Sequence, residues 1–134
     1  MMRLVPDIRS DGKAYYPGAW PSRMADHRFY IATDLEGVAG VDSWTQTRSG
    51  DSIPEQKAAA MDQLARETNA CVAGIREVYP DARIDVLDGH GSGGLREEDL
   101  EDATYLATIE GDQFGGADYD ALYFTGRHAM AGAP

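Results

Sequence analysis

Short apolar runs and one long segment of helical spacing dominate the pattern along the chain. Apolar or β-prone residues fill segments 28–33, 82–87 and 121–125. Between the first two segments, apolar residues recur at helical spacing from Met61 to Tyr79. Short apolar runs separated by a helix are typical of parallel strands joined by a crossover. The pattern therefore predicts an α/β fold, with a mainly parallel sheet and flanking helices in three layers.

The ends of the long helix can be predicted from local signals. Ser52 and Glu55 match a capping box, and Pro54 is tolerated in a first helical turn. Pro80 disfavours the helical conformation of the residue before it. We therefore expect the helix to end near Tyr79.

The later segments predict shorter elements. The acidic segment 96–102 indicates a short solvated helix or turn, and segment 104–109 a short strand. Segment 121–125 is continuously apolar, which is typical of a strand buried on both faces of a parallel sheet. Residues 1–27 hold three prolines and show neither helical nor strand spacing. We expect them to form a poorly ordered leader or arm before one domain at 28–134.

Composition and charge narrow the class of protein. The 134 residues suffice for one domain with a core, and the net charge of −11 disfavours nucleic acids and anionic membranes as partners. No apolar run has transmembrane length, so a cytoplasmic location is the default expectation. The single cysteine, Cys71, cannot form an internal disulfide, and its place on the helical apolar stripe predicts a packing role.

Polar side chains directly follow three of the predicted strands. Asp34 and Glu36 come after the first strand, His90 after the second and His128 after the third. Ligands of open parallel sheets bind outside the carboxyl ends of the strands, where these side chains would meet. Two carboxylates and two imidazoles suit zinc, manganese or cobalt better than calcium. The loop 38–51 is long enough to form a wall of this site, with Trp44 either contacting substrate or packing.

Three sequence blocks resemble one known family. They are Asp34-Leu35-Glu36-Gly37 with Val38-Ala39-Gly40, then Asp88-Gly89-His90, and then segment 121–129 with Gly126-Arg127-His128-Ala129. Together, in this order and spacing, they resemble the D-aminopeptidases of the DppA type, which are zinc-dependent metallopeptidases. The resemblance covers the N-terminal half of the family domain.

The resemblance implies a function and a set of site residues. It implies an α/β fold, two zinc ions, release of N-terminal D-residues from short peptides, and assembly into ring-like homo-oligomers. Applied to this sequence, the resemblance implies that the metal ligands are Asp34, Glu36, His90 and His128. Asp88 would orient a ligand or its loop, or would simply cap the turn. It assigns no catalytic side chain to this chain.

The resemblance also implies parts that this sequence does not contain. Family domains are longer, with a further acidic ligand and a histidine implicated in proton transfer beyond the matching segment. The metal site is therefore incomplete in this sequence, which is then a fragment, a truncated gene product, or one half of a split site, and which would be inactive alone if the missing half is required.

Two other enzyme classes and one non-enzymatic class remain as alternatives. Residues 33–37 resemble the aspartate motif of magnesium-dependent phosphatases of the haloacid-dehalogenase type, although Glu36 and Val38 replace the expected aspartate and threonine. The Asp-x-Glu pair also resembles the start of metal-dependent exonucleases, against which the acidic charge argues. A non-catalytic fragment that keeps the fold and an oligomer interface is the third alternative.

Overall fold

The computed structural model describes residues 27–108 and 119–129, together with the backbone of two short strands. These strands, β1 (Asp7–Ile8) and β2 (Ala14–Tyr15), pair in antiparallel orientation. Most of the leader predicted for residues 1–27, and the end of the strand predicted over 104–109, lie outside the described residues.

Within the described residues, the main sheet has four parallel strands. They are β3 (Arg28–Thr33), β4 (Arg83–Leu87), β5 (Thr104–Leu106) and β6 (Ala121–Thr125), in the order β5-β4-β3-β6. Helix α1 (Glu55–Val78) connects β3 to β4, which is the crossover that parallel neighbours require. The predicted α/β fold with a parallel sheet is confirmed. Two of its three expected layers, the sheet and one flanking helix, lie within the described residues.

The helix begins differently from the prediction. Pro54 is the residue before the first turn, with extended backbone angles, and no side chain caps the helix. The predicted capping box of Ser52 and Glu55 is therefore wrong, because Glu55 is already the first helical residue. A capping box forms instead between Ser43 and Gln46 around the short 3-10 helix Trp44–Gln46. The C-terminal end at Val78 lies within one residue of the prediction.

The core lies between α1 and one face of the sheet. Successive strand residues alternate between the two faces, so Phe29 and Ile31 pack against the helix while Tyr30 and Ala32 face the opposite side. Helix residues of this core are Ala60, Met61, Leu64, Ala65, Val72 and Ile75. Cys71 packs against the same cluster, and burial raises the pKa of its thiol, in line with a packing role.

Strand β6 does not follow the burial pattern of β3 and β4. Its central residues Leu122, Tyr123 and Phe124 are 44%, 38% and 54% exposed, so the prediction of a strand buried on both faces is wrong. Within the described residues β6 is the outer strand beside β3, and its consecutive exposed residues point to alternate faces, so neither face of the strand is fully covered. An apolar sequence does not indicate whether a strand is central or at an edge.

Candidate metal centre

The structure brings all four sequence-predicted ligands together at one edge of the sheet. Asp34 and Glu36 follow β3, His90 follows β4 and His128 follows β6. Because β4, β3 and β6 are adjacent and parallel, their carboxyl ends meet at the same edge. The turn of the chain after each strand then places a polar side chain over that edge.

The ligand atoms lie within the span that one or two cations could bridge. Single ligand atoms of Asp34, Glu36 and His128 lie within 4.8 Å of one another. His90 Nδ1 lies 3.3 Å from Asp34 Oδ1 and 3.2 Å from Glu36 Oε2. On the other side, His128 Nε2 lies 3.5 Å from Asp34 Oδ2. Asp34 is therefore the centre of the cluster, with an imidazole near each of its oxygens.

Each imidazole is anchored through its other nitrogen. His90 Nε2 donates a hydrogen bond to the Thr47 carbonyl oxygen at 2.7 Å, and His128 Nδ1 donates to the Ala129 carbonyl oxygen at 2.8 Å. A carbonyl oxygen can only accept, so in the neutral ring the proton resides on the anchored nitrogen. The nitrogen facing the carboxylates then carries a lone pair. This is the arrangement in which proteins present histidine to a metal ion.

Asp34 is held in its charged form. Burial raises the pKa of this carboxyl, but interactions with the Glu36 side chain, the Leu35 N–H and His90, and the attraction of a protonated His128, outweigh that effect and leave its pKa below the usual value. The Leu35 N–H donates to Asp34 Oδ1 at 2.9 Å, and this oxygen lies beside His90 Nδ1.

Glycine allows the ends of β3 and β6 to approach each other. The Asp34 N–H donates to the Thr125 carbonyl at 2.9 Å, and the Gly37 N–H donates to the Gly126 carbonyl at 2.8 Å. Gly126 has a φ of +65°, and a Cβ there would overlap the Asp34 carbonyl group. A side chain at this position would push the segment bearing His128 away from Asp34.

Asp88 caps the turn that carries His90. The Gly94 N–H donates to its two carboxylate oxygens at 2.9 and 3.2 Å, and the Tyr105 hydroxyl donates to Oδ2 at 3.4 Å. These contacts correspond to the capping alternative. Orientation of His90 by Asp88 through this loop stays a prediction.

Lys57 is a fully buried cation close to the site that sequence reasoning missed. Its Nζ donates to Ser49 Oγ at 2.6 Å and to the carbonyl and hydroxyl oxygens of Ser92 at 3.0 Å each. Ser92 Oγ donates in turn to the Thr47 carbonyl, the acceptor of His90. Lys57 therefore connects α1 to both loops that hold His90.

Lys57 is unusual among lysines because its side chain is buried. Burial lowers the pKa of its ammonium group, against the attraction of Asp88 and Glu36. A signal was present in the sequence, because Lys57 lies one helical turn before Met61 on the apolar stripe. A lysine at such a position indicates a buried polar network.

Two cavities adjoin the cluster, and both have the size of ligand-binding sites. The larger, of about 560 Å³, is lined by the four candidate ligands together with Arg48, Ser49, Gly89, Gly91, Ser92 and Arg127. The smaller, of about 430 Å³, is lined by Glu36, Val41, Asp42, Ser43, Trp44, Thr47 and His128. Trp44 is 65% exposed, so it is not a core residue, and its contact with substrate stays a prediction. The loop 38–51 contributes residues to both cavities.

Parallel strands that carry two carboxylates and two imidazoles at one edge are typical of an α/β metal-dependent hydrolase. A family model described as D-aminopeptidase matches residues 27–134, and the chain belongs to this family. The resemblance found from the three sequence blocks is thereby confirmed, and the chain is a peptidase of D-aminopeptidase type. Searches of curated proteins and of solved structures gave no match. Among the described residues, no helix has the length and apolar character needed to span a membrane.

Proposed function

We propose that this chain provides the metal site of a zinc-dependent aminopeptidase that releases N-terminal D-amino acids from short peptides. The observation that carries the proposal is the pair of anchored imidazoles, His90 and His128, each of which directs its second nitrogen at the carboxylate of Asp34. A mixed set of oxygen and nitrogen donors suits zinc, with manganese and cobalt as alternatives.

Different residues of the chain have different roles in the proposed reaction. Asp34, Glu36, His90 and His128 would hold the metal, which would supply Lewis acidity to activate a water for attack on the peptide carbonyl. Thr47 orients His90 through its carbonyl, and Lys57 holds the two loops around it. The net charge of −11 favours approach of a peptide by its protonated amino end.

Three finer features of the proposal come from the resemblance. They are two zinc ions instead of one, assembly into a homo-oligomer, and a cytoplasmic location. Native mass spectrometry of the purified chain measures the first two together. A monomer with a single zinc ion would remove both and leave the peptidase proposal in place.

Zinc binding is the first test of the proposed function. We expect the purified chain to contain zinc or to bind zinc or cobalt on titration, and the Asp34→Ala and His90→Ala variants to lose this binding. His27 precedes β3 at the opposite end of the sheet, so His27→Gln is the matched control and should bind metal as the wild type does. Failure of the wild type to bind any transition metal would refute the proposal.

Peptide hydrolysis is the second test. Zinc-loaded protein is incubated with D-alanyl-D-alanine and with L-alanyl-L-alanine, and the released alanine is measured. We expect release from the D-peptide only. Zinc binding without hydrolysis of either peptide would favour the non-catalytic fragment, and magnesium-dependent phosphate release that His90→Ala leaves intact would favour the phosphatase.

A further inference from the structure

Two arginines on the larger cavity have no acidic partner in the described part of the chain. Arg28, Arg76, Arg83 and Arg96 all pair with carboxylates. Arg48 and Arg127 form no ion pair with any residue that the structure describes, although Asp and Glu outnumber Lys and Arg by 23 to 12. Arg66 of α1 also has no carboxylate partner among these residues, but its guanidinium donates to Gln63, whereas neither Arg48 nor Arg127 donates a hydrogen bond to a described residue.

Aromatic rings hold both guanidinium groups in place. The Cζ of Arg48 lies 4.6 Å from the centre of the Trp44 ring, and the Cζ of Arg127 lies 5.5 Å from the centre of the Phe124 ring. Such cation–π contacts restrict a long side chain without neutralising its charge. Both arginines line the same cavity as the candidate metal ligands. The cavity therefore combines a metal-binding, acidic part with two restrained cations.

We propose that Arg48 and Arg127 form a subsite for the C-terminal carboxylate of the substrate, so that the preferred substrates are dipeptides. This inference rests on the proposed peptidase function. A dipeptide spans at most about 7 Å in extended form, so its carbonyl and its carboxylate fit within one cavity of this size. Guanidinium groups bind carboxylates through paired, charge-assisted hydrogen bonds, which an amide or a longer peptide cannot form at this place.

The test compares D-alanyl-D-alanine with its C-terminal amide on the zinc-loaded protein. We expect the free acid to have a kcat/KM higher by about tenfold or more, the usual effect of a charge-assisted hydrogen bond. Arg48→Met and Arg127→Met should each reduce this ratio, and the double variant should abolish it. Arg66→Met is the control, because Arg66 is an exposed arginine of α1 bonded to Gln63. It should keep the wild-type ratio.

The ratio of kcat/KM for the free acid to that for the amide distinguishes failure of the subsite from failure of the peptidase function. Loss of zinc from a variant lowers hydrolysis of both substrates alike and leaves the ratio unchanged. Equal hydrolysis of acid and amide by the wild type would overturn the subsite and leave the peptidase intact. If neither substrate is cleaved, the peptidase proposal fails. The same two compounds are then compared as ligands by calorimetry, and equal affinities would overturn the subsite as well.

Discussion

Two buried aspartates of this protein have opposite surroundings. Asp85 is 1% exposed, and it accepts hydrogen bonds from Arg83 Nε at 3.0 Å and the Tyr119 hydroxyl at 2.7 Å, with Arg28 at 3.8 Å. Asp34 is 7% exposed, and the side chains closest to it are a second carboxyl group and two imidazoles. The charge of Asp85 is thus compensated by the protein itself. The charge of Asp34 is offset by the Leu35 N–H and by imidazoles, and among the described residues no arginine or lysine forms an ion pair with it.

The positions of the two residues explain the difference. Asp85 lies inside β4, where the neighbouring strand and Tyr119 surround it with donors. Asp34 lies one residue beyond β3, where the chain turns towards the strand ends of its neighbours. A buried carboxylate paired with arginines is costly to disrupt, whereas one surrounded by imidazoles and a second carboxyl group is a candidate functional site. The predictions below test this assignment.

The largest expected effect is that of Asp34→Asn on hydrolysis. Loss of the central ligand should reduce hydrolysis of D-alanyl-D-alanine by about a thousandfold or more. The metal-free variant should be less stable than the wild type in urea at neutral pH, because the lowered pKa of Asp34 means that the folded state favours its charged form. Loss of stability with zinc binding retained would show that Asp34 is a structural residue like Asp85.

Asp85→Asn should lower the stability of the fold and leave zinc binding intact. We expect a loss of about 2–3 kcal/mol in the free energy of unfolding, because arginine groups would face an uncharged partner. Zinc affinity of the folded variant should match that of the wild type. Asp62→Asn is the control, because the ion pair of Asp62 with Arg96 is exposed and should contribute less than about 1 kcal/mol.

Lys57→Met should weaken zinc binding without removing it. Residues that orient a metal ligand through a second contact typically change metal affinity by about tenfold to a hundredfold, and we expect a value near the lower limit. Competition with a chelator measures the affinity, and Arg66→Met again serves as the control cation on α1. A variant with lower thermal stability and unchanged zinc affinity would limit Lys57 to a packing role.

The smallest expected effect concerns Tyr119 at high pH. Burial, followed by the hydrogen bond to Asp85, raises the pKa of Tyr119 from 10.0 to about 12. The folded state therefore favours the protonated phenol, whose contribution to stability is complete below pH 10 and disappears as the pH rises towards 12. Unfolding in urea between these pH values should show a steeper decline for the wild type than for Tyr119→Phe. Parallel curves would contradict this account.

The sequence was sufficient for the architecture and for the meeting of the four candidate ligands. Apolar runs predict strands locally, and polar residues directly after parallel strands converge for geometric reasons. The edge position of β6 could not be predicted, because strand order depends on contacts between distant segments. The same holds for the Thr47 carbonyl, which lies 43 residues from its partner His90. The start of α1 was mispredicted from local signals, because the extended backbone at Pro54 keeps Ser52 away from the first helical turn.

The exposed apolar edge of β6 has a practical consequence for expression of this chain. Leu122, Tyr123 and Phe124 lie on a strand that, within the described part of the chain, pairs only with β3. An apolar strand with an unpaired edge promotes aggregation by adding strands from other molecules. Purification at low protein concentration, or a lysine in place of the solvent-exposed Leu122, should increase the soluble yield. The metal ligands would remain in place, so every measurement described above could be made on the more soluble form.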